Sequence, residues 1–484
     1  MRRKTFAFRR KRPEKDGVRS KVMDTNKKTG RQHFGSRLGF ILLSAGCAIG
    51  LGNVWRFPMI VGENGGGSFV LIYLICLLLI GLPVMTMEFS LGRAAQTSPV
   101  RMYEKLTPDK PGWRLHGYLS LAANIVLMMF YTTIAGWILK YCVYSVTGTL
   151  AGKNPEQVED VFHQMTANPE MMLLYVAIIA GVAAFVCSLS LNGGLEKITK
   201  FMMLALLVML IGMAVFACTL DGAGKGLSFY LKPDFGKITF GVVGNAMIQA
   251  LFTLSLGIGS MAIFGSYIGK ERSLLGESCN VILLDTLVAI VAGIIIFPAC
   301  FTFGTTPDQG PGLLFVTLPN VFNQMSGGRI VGCLFFIFML AAALSTVIAV
   351  YENIIASLCE LTGMSRKKTA FLAWIGLTLL NIPVILGFNR WSGFHPFGMA
   401  NKDISDLEDF FVSYLMLPIG SLAYVLYCIS SRFGWGFDRF LEEANQGTGW
   451  KVKKWMRKYC TYVLPLILLF VFVISLLSFF EVLQ

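Results

Sequence analysis

Ser44-Ala-Gly-Cys-Ala-Ile-Gly-Leu-Gly-Asn-Val-Trp-Arg-Phe-Pro58 is the stretch on which the fold turns. It lies in an apolar run long enough to cross a membrane, yet it holds Gly46, Gly50 and Gly52, then Asn53, Arg56 and Pro58. Each Gly costs a helix about 1 kcal/mol relative to Ala. In lipid, unwound backbone survives only where protein or a water-filled cavity satisfies its polar groups. The stretch therefore predicts a helix broken near the bilayer midplane. A half-helix that starts at such a break offers N–H groups to an anion, and one that ends there offers carbonyls to a cation. A single break can hold a carboxylate and a cation side by side.

A second stretch repeats the pattern. Gln249-Ala-Leu-Phe-Thr-Leu-Ser-Leu-Gly-Ile-Gly-Ser260 carries Gly257 and Gly259 beside Thr253 and Ser255, again inside an apolar run. Close helix packing explains a lone Gly pair well enough. Two breaks with polar neighbours, at corresponding places in the chain, argue for an inverted repeat with its site between the halves.

The rest of the chain agrees with a bilayer setting. Of 484 residues, 55% are apolar and 14% charged, whereas a soluble domain carries about 25% charged residues. Eleven apolar stretches stand at roughly 38–60, 69–91, 115–147, 171–190, 196–218, 240–267, 277–304, 329–358, 369–388, 409–431 and 459–481. A spanning helix needs about 20 such residues, and these runs are too continuous for alternating barrel strands. The expected fold is an all-α polytopic membrane protein, an inverted-repeat (5+5) arrangement with discontinuous spans 1 and 6 and about 11 transmembrane helices. Its expected parts are a basic cytosolic tail (1–37), a first repeat of spans 1–5 (38–218), an outer loop (219–239), a second repeat of spans 6–10 (240–431), a cytosolic loop (432–458) and span 11 (459–484).

The net charge of +14 does not point to nucleic acid once it is located. Residues 1–37 hold 14 Lys/Arg against Glu14, Asp16 and Asp24, a net +11 in a tail without an apolar core. It reads as a topogenic segment near anionic lipid. Loops 92–114 and 432–458 are also basic, while 149–170 and 389–409 are acidic. The positive-inside rule then puts the N-terminus in the cytosol and the C-terminus outside. The 11 Cys sit mostly inside apolar runs without a CxxC, and read as small buried hydrophobes. Four His without an HExxH, and the lack of a GxSxG, leave no enzyme and no organic cofactor to expect.

At Arg37-Leu-Gly-Phe40, Gly50-Leu-Gly-Asn-Val-Trp-Arg-Phe-Pro58, Glu63-Asn-Gly-Gly-Gly67, Phe252-Thr-Leu-Ser-Leu-Gly-Ile-Gly259, Asp285-Thr-Leu-Val-Ala289 and Ala342-Ala-Leu-Ser-Thr346 the chain resembles the neurotransmitter:sodium symporter family, in its 11-span bacterial branch. The resemblance runs from about Arg31 to the last span. It implies sodium-coupled uptake by alternating access of a small amino-acid substrate, in a multi-pass protein of the plasma (bacterial inner) membrane whose partners are lipid and, as an option, a second copy of itself in a homo-oligomer. It implies two Na⁺ sites. The first takes the Ala48 carbonyl, Asn53, Thr253, Asp285 and the substrate carboxylate; the second takes carbonyls of Gly46, Ile49 and Ala342 with the hydroxyls of Ser345 and Thr346. All are hard oxygens, as hard cations prefer. An outer gate of Arg56 and Asp409, with Gln249 nearby, would close over an aromatic lid of Tyr131 and Phe252. Arg31, Tyr267 and Glu360 match the inner gate, although Phe34 replaces a usual Trp there.

Substrate follows from the same comparison. Gly50 stands where amine transporters carry an Asp, so the substrate's own carboxylate is expected to complete the site. The small-residue backbone at Ala48, Gly50 and Gly52 would cradle it. The remaining contacts expected are Leu127, Tyr131, Phe252, Thr253, Ser255, Ile258, Ser345 and Val350. None is charged, which disfavours a charged substrate side chain. Ile258 replaces a Phe found in a bacterial member, which leaves room for larger aliphatic or aromatic groups. Ala289 stands where a chloride-site hydroxyl is expected and Asp285 supplies a fixed charge nearby, so chloride independence is expected. A sensor of the same fold that binds an amino acid without moving it remains the alternative reading.

Overall fold

Long apolar segments can satisfy their backbone in lipid only as helices or closed barrels, and the described residues take the first course. A lone bridge between Arg272 and Thr448 is the one strand-like pairing among them. The computed structural model describes residues 35–304, 312–325, 327–399 and 402–480, all within the unit Gln32–Gln484. The basic tail up to residue 34, with Arg31 and Phe34, lies outside the described residues.

Nine described helices are long and apolar enough to cross a membrane. They are span 2 (Gly67–Ala95), span 3 (Pro111–Thr147), span 4 (Pro169–Ser188), span 5 (Glu196–Ala217), span 7 (Leu274–Phe303), span 8 (Gly328–Thr362), span 9 (Arg366–Gly387), span 10 (Ile404–Ile429) and span 11 (Met456–Phe479). Span 1 is a pair, Arg37–Ala48 and Gly52–Glu63, bent by 55° at its break. What stands at span 6 is Phe240–Thr253, too short to cross alone, followed after 254–259 by Ser260–Gly265.

Local signals set the helix ends. Ser36 caps span 1 by accepting from the Gly39 N–H at 3.0 Å, and Thr239 caps span 6 through the Val242 N–H at 3.3 Å. Asp403 and Asp406 form a capping box at span 10. Gly363, with φ 70°, ends span 8 in the left-handed conformation that Gly adopts without penalty.

The first break comes at Ile49, whose extended φ/ψ of −73°/97° cannot continue a helix. A wide π turn over Gly52–Arg56 then restarts the span. In the second break Ser255, Gly257 and Gly259 take φ of 50°, 91° and 76°. Gly reaches this region freely, whereas Ser255 does so at a cost that its surroundings must hold. Span 10 seals the second break. A Cβ on Gly420 would lie 2.0 Å from the Gly257 carbonyl oxygen, and one on Gly257 2.3 Å from that of Leu417. Span 8 packs along span 3 and along the first half of span 1. Spans 5 and 11 present exposed Phe201, Val208, Val215, Tyr462 and Leu466 on their outer faces, as expected of surfaces that meet lipid.

At the end of the bundle where spans 2 and 10 finish, fully buried Arg93 bonds Glu443 at 2.6 Å and the Arg272 carbonyl at 2.7 Å. This pins the short helix Phe437–Ala444 to the segment between spans 6 and 7.

Candidate functional site

The two breaks face each other across span 7. Asn53, just past the first break, donates to the Asp285 Oδ1 at 2.8 Å and to its carbonyl at 3.2 Å. Thr253, at the end of the first half of span 6, donates toward both Asp285 oxygens at 3.3 and 3.2 Å. All three side chains are buried. A carboxylate at this depth is costly unless something charged or strongly polar meets it. Asn and Thr meet part of that need, and the site still holds more negative than positive charge.

A second oxygen cluster joins span 8 to the same break. The Ser345 hydroxyl lies 3.1 Å from the Ile49 carbonyl and 2.7 Å from that of Ala342. The Thr346 hydroxyl lies 3.3 Å from the Gly46 carbonyl, 3.4 Å from Cys47 and 3.4 Å from Ile49. Each hydroxyl carries one proton. Two protons thus face four carbonyls, so the cluster is rich in lone pairs and poor in donors. That is the chemistry a bare hard cation requires.

Between the clusters lies a narrow cavity of about 20 Å³, room for about one water. Cys47, Ala48, Gly50, Gly52, Leu127, Tyr131, Phe252, Ser255, Ile258, Thr346, Val412 and Leu417 line it. Above it a cavity of about 460 Å³ reaches Arg56, Asp403, Asp406 and Asp409. Gly52, Tyr131 and Phe252 line both, so the two rings form the partition. The Tyr131 hydroxyl accepts the Leu51 N–H at 2.9 Å on the wall of the lower cavity. Arg56 stacks 4.0 Å over the Phe252 ring and lies 3.7 Å from Asp409, with Ser413 between them.

Several expected positions sit differently. Val350 is buried but does not line the cavity: it stands one turn beyond Thr346, below the cavity floor. Ser345 faces the carbonyls of Ile49 and Ala342 instead of the cavity. Thr253 is likewise absent from the wall, since its hydroxyl turns to Asp285. Gln249 bonds the Gly52 carbonyl at 3.1 Å, beneath the Arg56 layer. On the opposite side of the bundle, Tyr267 donates to Glu352 at 2.7 Å, and Arg366 pairs with the same carboxylate. Glu360 accepts from the Ser98 N–H at 3.0 Å and the Ser98 hydroxyl at 2.6 Å. Arg31 lies outside the described residues, so the expected inner trio is seen only in these two members.

Sequence reasoning missed several contributors, Cys47 among them, which lines the cavity and turns its carbonyl to Thr346. Val412 and Leu417 reach the cavity from span 10. Glu352 makes the buried pair just described, and Glu88 of span 2 accepts the Gly257 N–H at 2.6 Å inside the second break. An ionisable residue in an apolar span was the available signal for both acids.

Gly50 gives a sharp steric test. A Cβ there would lie 2.3 Å from the Thr346 Oγ1 and 2.5 Å from the Tyr131 hydroxyl, both held in place. At Gly52 the nearest atom is a Phe252 ring carbon at 3.0 Å, which can swing. Gly50→Ala is expected to weaken ligand binding at least tenfold, roughly 1.4 kcal/mol, and Gly52→Ala clearly less. Equilibrium binding to both purified variants checks this; an Ala at 50 that binds as well as the parent would refute the geometry.

A family model described as "Sodium:neurotransmitter symporter family" matches residues 31–163 and 158–483. The chain belongs to the sodium:neurotransmitter symporter family. A "sodium-dependent transporter" of Haemophilus influenzae is 34% identical over 464 residues, covering 94% of this chain and all of that protein. One of Bacillus subtilis is 35% identical over 392 residues, covering 81% of this chain and 86% of that one. Among solved structures, MhsT in complex with L-phenylalanine superposes with a TM-score of 0.83 at 38% identity, covering 92% of this chain and all of that one. This symporter is therefore a multi-pass, sodium-dependent transporter and not an enzyme.

Proposed function

We propose that this symporter imports a neutral, hydrophobic or aromatic α-amino acid with Na⁺ by alternating access, and without chloride. The observation that carries this is one uncharged cavity set between two oxygen clusters at facing helix breaks. The N–H end of the restarted first span and the Tyr131 hydroxyl suit a carboxylate. Leu127, Phe252, Ile258, Val412 and Leu417 suit an apolar side chain. A larger substrate enters only as the partition rings move, because the cavity as it stands is nearly filled. MhsT, crystallised with L-phenylalanine, supports an aromatic substrate by likeness.

In this reading one Na⁺ sits with Asn53, Thr253, Asp285 and the Ala48 carbonyl, where the substrate carboxylate completes its shell. The other sits with the carbonyls of Gly46, Ile49 and Ala342 and the hydroxyls of Ser345 and Thr346, tying span 8 to the first half of span 1. The Asp285 carboxylate takes over the negative charge that chloride would bring, and Ala289 offers no hydroxyl to hold that anion. Arg56–Asp409 closes the outer path, and Glu352–Arg366 with Tyr267 the inner one. Spans 1–5 (38–218) and 6–10 (240–431) act as the two repeats, with the N-terminus cytosolic in the bacterial inner membrane.

Uptake by proteoliposomes under an imposed Na⁺ gradient tests this. Accumulation of labelled phenylalanine is expected with Na⁺ and not with K⁺, equally in chloride and gluconate, and unlabelled Leu, Met, Phe, Tyr or Trp should compete. Competition by Glu or Lys alone would remove the substrate reading. Sodium-dependent binding without accumulation would turn the protein into a sensor.

A further inference from the structure

A third cavity, of about 910 Å³, opens at the end of the bundle where span 5 ends, span 6 begins and span 7 finishes. Its walls come from the helix Ala223–Leu231, the segment 232–237, the turn at Gly65 and Phe301 of span 7. These walls are firmly seated. A Cβ on Gly226 would lie 2.7 Å from the Phe297 backbone, and one on Gly222 2.5 Å from the Thr302 nitrogen. The Ser68 hydroxyl bonds both the Asp234 carbonyl, at 2.6 Å, and the Asp234 N–H, at 2.8 Å. The Lys237 stem lies across Gly65.

Lys225, Lys232 and Lys237 all line this cavity, and among the described residues none of them has a carboxylate partner. The one acid on the rim, Asp234, turns its Oδ1 to the Gly236 N–H at 3.1 Å. Three like charges gathered without a counter-ion favour a bound anion. The same cavity has an apolar edge. Phe235 is 70% exposed and Phe301 38%, with Leu231 and Phe240 exposed beside them. A free phosphate ion gains nothing from bare aromatic rings, whereas an amphiphile uses both halves. The cavity also sits at the ends of the apolar spans (Ala217, Phe240 and Phe303), the depth at which headgroups meet acyl chains.

We propose that this cavity binds the headgroup of an anionic phospholipid, its phosphodiester among the three lysines and its acyl chains over Phe235 and Phe301. Native mass spectrometry of the full chain in detergent, titrated with phosphatidylglycerol and with phosphatidylcholine, reads the site. One phosphatidylglycerol is expected to bind in preference to phosphatidylcholine. Lys225→Gln/Lys232→Gln/Lys237→Gln should cut that preference by about 100-fold, roughly fivefold for each lysine. The three side chains are exposed, so the variant should keep the parent's thermal unfolding, measured alongside. Unchanged preference in the folded triple variant would overturn the proposal. So would inorganic phosphate at millimolar level displacing the lipid fully, which would make the cavity a site for the soluble anion.

Discussion

Asp285→Ala is expected to raise the sodium concentration needed for half-maximal uptake by roughly 100-fold. The carboxylate is fully buried and is bonded by Asn53 and Thr253 from the two facing breaks. Removing it deprives a cation there of its only formal counter-charge from the protein. It also strands the Thr253 hydroxyl and leaves the Asn53 amide only the backbone carbonyl of residue 285, at 3.2 Å. A hydrogen bond to a charged group contributes about 1.5–3 kcal/mol, so losing this set corresponds to about two decades in affinity. Asp285→Asn keeps an acceptor for Thr253 and loses the charge, so its effect on sodium should be smaller. If Asp285 stands in for a bound anion, uptake by the Asn variant becomes stimulated by chloride, while the parent stays indifferent. Uptake measured against sodium, in chloride and in gluconate, gives both results. A sodium dependence that the Ala variant leaves unaltered would take Asp285 out of the cation site.

The breaks were legible because each pairs several Gly with hydroxyl or amide side chains inside an apolar run, a combination with few structural uses in lipid. Residues that act through those two stretches could be read with them: the span 8 hydroxyls of Ser345 and Thr346 come together with the carbonyls of Gly46 and Ile49. What could not be read depends on how spans lean on one another. Val412 and Leu417 reach the cavity because Gly420 lets span 10 press onto the Gly257 carbonyl, a contact between stretches more than 160 residues apart. Val350 stays off the cavity wall for the opposite reason. It shares a face of span 8 with Thr346, but a single turn along the helix carries it past a cavity this narrow. The buried pairs Arg93–Glu443 and Glu352–Arg366 likewise needed partners that periodicity does not name.

Glu88→Ala is expected to abolish uptake and to lower the thermal stability of the purified protein, whereas Glu88→Gln keeps most of the stability. The reason lies in the second half of span 6. Ser260–Gly265 begins at Gly259, which has no side chain to cap the free N–H groups of the first turn. Glu88, reaching across from span 2, brings a carboxylate to this end of the helix: it accepts the Gly257 N–H at 2.6 Å, inside the break. A negative group at a helix N-terminus is favoured by the exposed amides and by the dipole. Without it, the buried Gly257 amide loses its acceptor, at about 1–3 kcal/mol, and the vacated volume adds a packing loss. The break then has two poor options: rewinding, which closes the cavity, or admitting water. The Gln carbonyl can still accept from Gly257, so that variant separates the acceptor from the charge. Phenylalanine binding per folded molecule, beside thermal unfolding, distinguishes a failed cap from a failed fold. If the folded Ala variant binds and transports like the parent, the second break is held open by something other than Glu88, and the Gly257–Gly420 contact becomes the support to test next.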